Sequence, residues 1–257
     1  MIGSMLSRHG PDHLGLSYRF AVSILKPPLT VFTRRDWHGT QWLRQDYPPS
    51  DGLVVVPNHL SWFDPLPIAH LLWDNGRPPR FLGKEAVFRV PLVGQLLTNC
   101  GQIPVYRETT EASDSVRAAI EAVQSGETVV VYPEGTITRD PDLWPMNGRT
   151  GAARIALLGG VPVVPVAQWG PQDVMRPYAK EFRVLPPKTM HMRVGPPVDL
   201  EDLRGRDITS EVLAEATNRI VDAVTEQLEQ IRGESSPPER LDYRSWRAAN
   251  ATEHEEK

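Results

Sequence analysis

From Leu53 onward the apolar residues arrive in short runs that alternate between a strand period and a helix period. Leu53 to Pro57 is uninterrupted and apolar, as expected of a strand covered on both faces, and Leu66 to Trp73 reads as a helix opened by Asp64-Pro65. Arg80-Phe81-Leu82-Gly83 reads as a second short strand, Val90 to Thr98 as a short helix, and Ile103 to Tyr106 as a third strand. Between Ser113 and Gln124, the residues Val116, Ala119, Ile120 and Val123 share one helical face, and Ser125-Gly126 closes the element. Thr128 to Tyr132 is a fourth strand whose three consecutive valines predict burial on both sides. An alanine-rich helix is expected from Gly148 to Leu158, and a fifth strand from Val161 to Ala167. Pro162 and Pro165 in that strand predict an edge position or a bulge. His191 to Val194 is a sixth strand. Ser210 is the expected cap of a last amphipathic helix to about Ile231, with Leu213, Ile220, Val224, Leu228 and Ile231 turned inward. This alternation predicts an α/β fold, a single-domain sandwich with a mixed, largely parallel central sheet flanked by helices.

The two ends of the chain break the pattern. Residues 1–14 are polar and expected to be mobile. From Tyr18 to Trp37, apolar residues are interspersed with Arg19, Lys26, Arg34 and Arg35, and Pro27-Pro28 is expected to break the run. Such a segment suits the headgroup region of an anionic membrane, or else a short helix packed on the domain. Beyond Gly233, Ser235-Ser236-Pro237-Pro238 introduces a polar, charged stretch expected to be disordered. The organisation is therefore an N-terminal segment, 1–45, a main domain, 46–232, and a tail, 233–257.

Composition narrows the choice of partners. A chain of 257 residues, 40% hydrophobic and 23% charged, can bury one sizeable core. Its net charge of −4 gives a nucleic-acid partner no support, so any anion site must be local. The single Cys100 excludes an internal disulfide framework, and no stretch approaches the roughly 20 apolar residues of a membrane span.

The chemistry begins at Asn58-His59-Leu60-Ser61-Trp62-Phe63-Asp64-Pro65, directly after the first strand. A separation of five residues on an ideal helix rotates through about 140°, so His59 and Asp64 meet only if the chain bends between them. In a turn, the Asp64 carboxylate would hold one imidazole nitrogen and leave the other as a base. Ser61 lies between them and is read as a turn-stabilising hydroxyl rather than a nucleophile. Arg107 ends the third strand, where a guanidinium could grip a phosphate bidentately, and Lys84 is a second basic candidate. Glu134-Gly135-Thr136 leaves the end of the fourth strand. Gly135 permits close backbone approach, its amide is a candidate donor to an oxyanion or phosphate, and Glu134 suits either substrate hydroxyls or the loop itself. A metal site built on His59, Asp64 and Glu134 lacks a second histidine at ligand spacing.

Three further blocks follow the first in order: Gly101-Gln102-Ile103-Pro104-Val105-Tyr106-Arg107, Val131-Tyr132-Pro133-Glu134-Gly135-Thr136, and Gly160-Val161-Pro162-Val163-Val164-Pro165-Val166. Together with N-H-x-S-x-x-D-P, this series resembles the glycerolipid acyltransferase family, which includes bacterial 1-acyl-glycerol-3-phosphate (lysophosphatidate) acyltransferases. The resemblance covers roughly residues 50 to 200 and makes 46–232 an acyltransferase domain. It implies an O-acyltransferase that moves an acyl group from acyl-CoA or acyl carrier protein, as co-substrate and without a further cofactor, to the free hydroxyl of 1-acyl-glycerol-3-phosphate. The product would be phosphatidate, an intermediate of phospholipid biosynthesis. His59 and Asp64 would be catalytic, and Lys84, Arg107, Glu134, Gly135 and Thr136 would bind substrate. Relatives often continue E-G-T-R-S where this chain has Ile137-Thr138-Arg139, so the basic residue is displaced by two positions. The lipid substrates favour the membrane reading of residues 1–45, implying a peripheral or monotopic protein at the cytoplasmic face of the cell membrane. Two alternatives stand beside this reading. One is a different acceptor, such as a glycolipid, another lysophospholipid or glycerol-3-phosphate; the other is a catalytically silent lipid-binding protein.

Overall fold

A computed structural model describes residues 15–44, 52–105 and 112–250. Among these residues, strands β1 (Thr33–His38), β2 (Leu53–Pro57), β3 (Pro79–Lys84), β4 (Ile103–Val105), β5 (Thr128–Val130), β6 (Val163–Trp169) and β7 (Lys188–Val194) form one sheet. Their order is β1-β7-β6-β2-β5-β3-β4. Every neighbouring pair is parallel except β6 with β7, so the expected mixed, largely parallel sheet is the one observed.

The valine runs explain why this sheet is buried on both faces. Val54 and Val56 of β2 join Val129, Val131 and Val163 in a cluster with helices α5 (Ala112–Gln124), α6 (Gly151–Gly159) and α8 (Ser210–Arg232), the short α7 (Pro171–Val174) falling between α6 and α8 in the chain. Leu53, Val55, Val130, Val164 and Val166 point the other way, onto Ile68, Leu71 and Leu72 of helix α2 (Pro65–Asp74). Each fully buried valine or leucine contributes about 1.5–3 kcal/mol, so these two clusters dominate the packing energy. Helix α8 is capped by Thr209, whose side chain accepts from the Val212 amide, and not by Ser210.

Four elements differ from expectation. Strand β6 lies inside the sheet rather than at its edge. Its Pro165 sits where β6 pairs with β2 but before the β7 ladder begins at Val166; on that side the Pro165 carbonyl accepts from Gly195, so no proline N–H is needed. The helix expected from Val90 to Thr98 starts only after Pro91, as α4 (Val93–Asn99), and a short unexpected helix, α3 (Glu85–Phe88), precedes it. Helix α1 (Leu16–Phe32) continues through Pro27 and Pro28, which do not break it. The carbonyls that lose their donors belong to exposed Ser23 and Ile24 and can turn to water. The stretch after Gly233 is not disordered through Asn250: Asp242 caps a helix, α9 (Tyr243–Ala249), the Leu241 carbonyl accepts from the Asn147 amide at 3.0 Å, and Arg240 pairs with Asp222 at 3.0 Å.

Residues 33–38, read with the membrane segment, form the edge strand β1 alongside β7. Helix α1 docks on α2, where Tyr18 stacks on Trp73 with centroids 5.6 Å apart and donates to the Pro79 carbonyl. Asp74 of α2 pairs with Lys26 at 2.5 Å and with Arg35 at 3.4 Å. Two of the four cations expected at a membrane surface thus have a partner within the fold.

Candidate active site

Because β2, β5, β3 and β6 run parallel, their C-terminal ends open on one edge of the sheet, the usual place for ligands in open α/β sheets. His59 follows β2 by two residues on that edge. The chain then turns, with the Asp64 amide donating to the Ser61 carbonyl at 3.2 Å, and Pro65 starts α2. Asp64 does not cap that helix. Its carboxylate reaches back, and Oδ2 accepts from His59 Nδ1 at 2.8 Å, from the Leu60 amide at 2.6 Å and from the Ser61 amide at 3.0 Å. Histidine and carboxylate therefore meet through the bend that their spacing requires. Asp64 is fully buried, and that burial raises its pKa against the opposing pull of His59 and the two amides. With Nδ1 committed, Nε2 is the imidazole nitrogen left to act as a base.

The residues around this pair hold it in place. Ser61 is buried, its hydroxyl donating to the Met175 carbonyl at 2.6 Å and accepting from the Phe63 amide at 3.0 Å, as expected of a turn-stabilising group. Tyr132 stacks on the imidazole with centroids 4.1 Å apart. Asn58 locks the turn to β6 through both of its side-chain atoms, at 2.8 and 3.1 Å from the backbone of Gln168. Neither Tyr132 nor Asn58 was singled out as a functional residue. The only sequence signal for them is membership of the two blocks, because their partners lie far away along the chain.

Glu134 belongs to the loop rather than to a ligand surface. It is 1% exposed, Oε1 accepts from the His59 amide at 3.0 Å, and Oε2 accepts from the Met146 amide at 3.1 Å. Burial outweighs these hydrogen bonds and pushes its carboxyl up to about 8. Of the two roles open to Glu134, holding the loop fits this geometry and contact with acceptor hydroxyls does not. Gly135 has a φ of 69°, a left-handed conformation that glycine adopts without strain, and its amide donates to the Tyr132 carbonyl at 3.1 Å. That turn bond occupies the donor expected to face an oxyanion. The Thr136 hydroxyl lies 3.4 Å from the Tyr178 hydroxyl.

The expected cations part company. Lys84 is exposed at the end of β3, in register with Val105 of β4, two positions before Arg107. Arg107 itself lies outside the described residues. Arg139 is enclosed by aromatic rings: its guanidinium carbon lies 3.4 Å from the Tyr178 centroid and 4.7 Å from that of Trp246 on α9. Among the described residues, no group of three His, Cys, Asp or Glu side chains is placed to hold a metal ion.

A family model described as Acyltransferase matches residues 36–169. The chain is 32% identical over 133 residues to a chloroplastic 1-acyl-sn-glycerol-3-phosphate acyltransferase of Brassica napus, a match covering 51% of this chain and 37% of that protein. It is 33% identical over 119 residues to a lyso-ornithine lipid O-acyltransferase of Pseudomonas aeruginosa, covering 46% of this chain and 43% of that one. The matches thus span less than half the length of either relative. In fold, the chain is similar to the crystal structure of the 1-acyl-sn-glycerophosphate acyltransferase PlsC from Thermotoga maritima, with a TM-score of 0.63 at 22% identity over 86% of this chain and 83% of that one. Since the family match takes in more than half of its 257 residues, the chain belongs to the acyltransferase family.

Proposed function

We propose that the protein acylates the free hydroxyl of 1-acyl-glycerol-3-phosphate from an acyl thioester, either acyl-CoA or acyl carrier protein, giving phosphatidate at a membrane surface. The observation that carries this reading is the bond between His59 Nδ1 and Asp64 Oδ2 at the open edge of the sheet, in a chain of this family. Nε2 takes the acceptor's hydroxyl proton as the oxygen attacks the thioester carbon. The buried Asp64 carboxylate steadies the imidazolium, which returns the proton to the departing thiolate. No covalent enzyme intermediate is required. A catalytically silent lipid-binding protein would need a pocket but not this hydrogen-bonded pair.

The two relatives differ in their named acceptors, and that difference supports a second reading in which a lyso-ornithine lipid is the acceptor. Thiol release from palmitoyl-CoA, measured with 1-acyl-glycerol-3-phosphate, lyso-ornithine lipid and glycerol-3-phosphate in turn, separates them. Fastest release with 1-acyl-glycerol-3-phosphate, with phosphatidate as product, is the expected result. Release without acylated product would sink the transferase reading.

Helix α1 is the proposed membrane contact. Leu16, Phe20 and Ile24 recur every fourth residue and are exposed, and Val31 extends the stripe. No helix among the described residues is long and apolar enough to cross a membrane. Burying a phenylalanine or an isoleucine is worth about 1.5–3 kcal/mol, more than the roughly 1 kcal/mol of a surface cation. Changing Phe20 and Ile24 together to Ser should therefore lower binding to anionic vesicles by at least about tenfold. Changing Lys26 and Arg35 to Gln should weaken the contacts that α1 and β1 make with Asp74 of α2, and thereby lower the melting temperature. Unchanged vesicle binding in the Phe20/Ile24 variant would place the contact elsewhere.

A further inference from the structure

A phosphate dianion taken from water into a site needs more than one fixed cation. The Arg139 guanidinium already packs on the rings of Tyr178 and Trp246, 3.4 and 4.7 Å from their centroids, and its Nε is buried. The structure brings another arginine to the same loop. The Arg149 amide donates to the Pro133 carbonyl at 2.7 Å, which ties its backbone to the residue before Glu134. Its side chain then crosses Gly135 so closely that a Cβ there would lie 2.9 Å from both Arg149 Cδ and Nε. Gly135 adjoins Glu134, whose Oε1 holds the His59 amide at 3.0 Å. Arg149 is exposed, so a ligand arriving at this edge can reach it.

The sheet order gives this placement its direction. Strand β5 lies between β2, which leads to His59, and β3, which ends in Lys84. The loop that Arg149 covers follows β5, and so lies between the base and Lys84 along the open edge.

We propose that Arg149 is a phosphate-binding residue of the acceptor site, gripping the acceptor's phosphate together with Lys84 while the neighbouring hydroxyl is presented to His59. The inference rests on the acylation of a phosphate-bearing acceptor proposed above. It also gives Gly135 a purpose beyond its turn, because any side chain at that position would displace the Arg149 stem.

Steady-state kinetics of Arg149→Met and Arg149→Lys test it, with inorganic phosphate as a competing probe. Arg149→Met should raise the KM for 1-acyl-glycerol-3-phosphate by about tenfold or more, while kcat and the acyl-CoA KM move by less than about threefold. Inhibition by inorganic phosphate, competitive with the acceptor, should weaken in parallel, and Arg149→Lys should recover part of both losses. An unchanged acceptor KM overturns the proposal, and so does a rise in the acyl-CoA KM in its place, which would assign Arg149 to the donor's phosphates. If the unaltered protein transfers acyl groups to no phosphate-bearing acceptor, the underlying functional reading fails before any variant is made. The two failures are therefore distinguishable.

Discussion

His59→Ala is expected to lower kcat by about 10² to 10⁴ while leaving the melting temperature nearly unchanged, because a positioned base acts on the barrier and contributes little to the core. The local geometry supports the second half of that expectation. The backbone bonds at position 59, from its amide to Glu134 Oε1 and from the Thr138 amide to its carbonyl, survive in alanine. Only the ring stack on Tyr132 and the bond to Asp64 are lost. Thiol release by the folded variant, checked alongside its thermal unfolding, measures the effect. Turnover near that of the unaltered protein would rule out His59 as the base.

Asp64→Asn should cost activity on a similar scale and, unlike His59→Ala, should also cost stability. Asp64 Oδ2 accepts three hydrogen bonds, whereas Oδ1 is buried without a partner among the described residues. If the asparagine oxygen takes the Oδ2 position, its NH2 group is left buried and unsatisfied. If the amide flips, that NH2 group faces the Leu60 and Ser61 amides. Either orientation costs about 1–3 kcal/mol, which lowers the melting temperature by roughly 2–4 °C per kcal/mol in a domain of this size. The imidazolium loses its countercharge in both cases. Equal melting temperatures for Asp64→Asn and the unaltered protein would mean that the turn relaxes, and that the carboxylate matters only for chemistry.

The parts of the fold that were legible in the sequence are those whose cause is local. Strands β2 and β5 announce themselves through consecutive valines, and α8 through its inward stripe of Leu213, Ile220, Val224 and Leu228. The His59–Asp64 pairing was legible for the same reason, since the two residues lie within one turn. Strand β1 was not, because Thr33-Arg34-Arg35-Asp36-Trp37-His38 is polar enough to pass for a surface segment and becomes a strand only by pairing with β7, far along the chain. The prolines of β6 do not reveal its inner position, because an edge and an unpaired stretch of an inner strand look alike until the neighbouring strand is known. Glu134 shows the same limit, for its two amide partners lie on separate segments, at His59 and Met146. Arg149 carries no signal in the sequence, because only the fold brings it across Gly135.

Arg139 has a consequence that reaches beyond the site. Its guanidinium contacts both Tyr178, on the segment after β6, and Trp246, near the C-terminal end of the described chain. Tyr178 in turn donates to the Ile137 carbonyl at 2.5 Å and meets the Trp62 ring beside the His59 turn. A cation shared by two rings is lost to both when either one swings away, so α9 and the segment bearing Tyr178 are expected to open as one cooperative unit rather than as two independent loops. Helix α9, about 110 residues beyond Arg139 in sequence, is thereby expected to influence how often the wall beside Trp62 loosens.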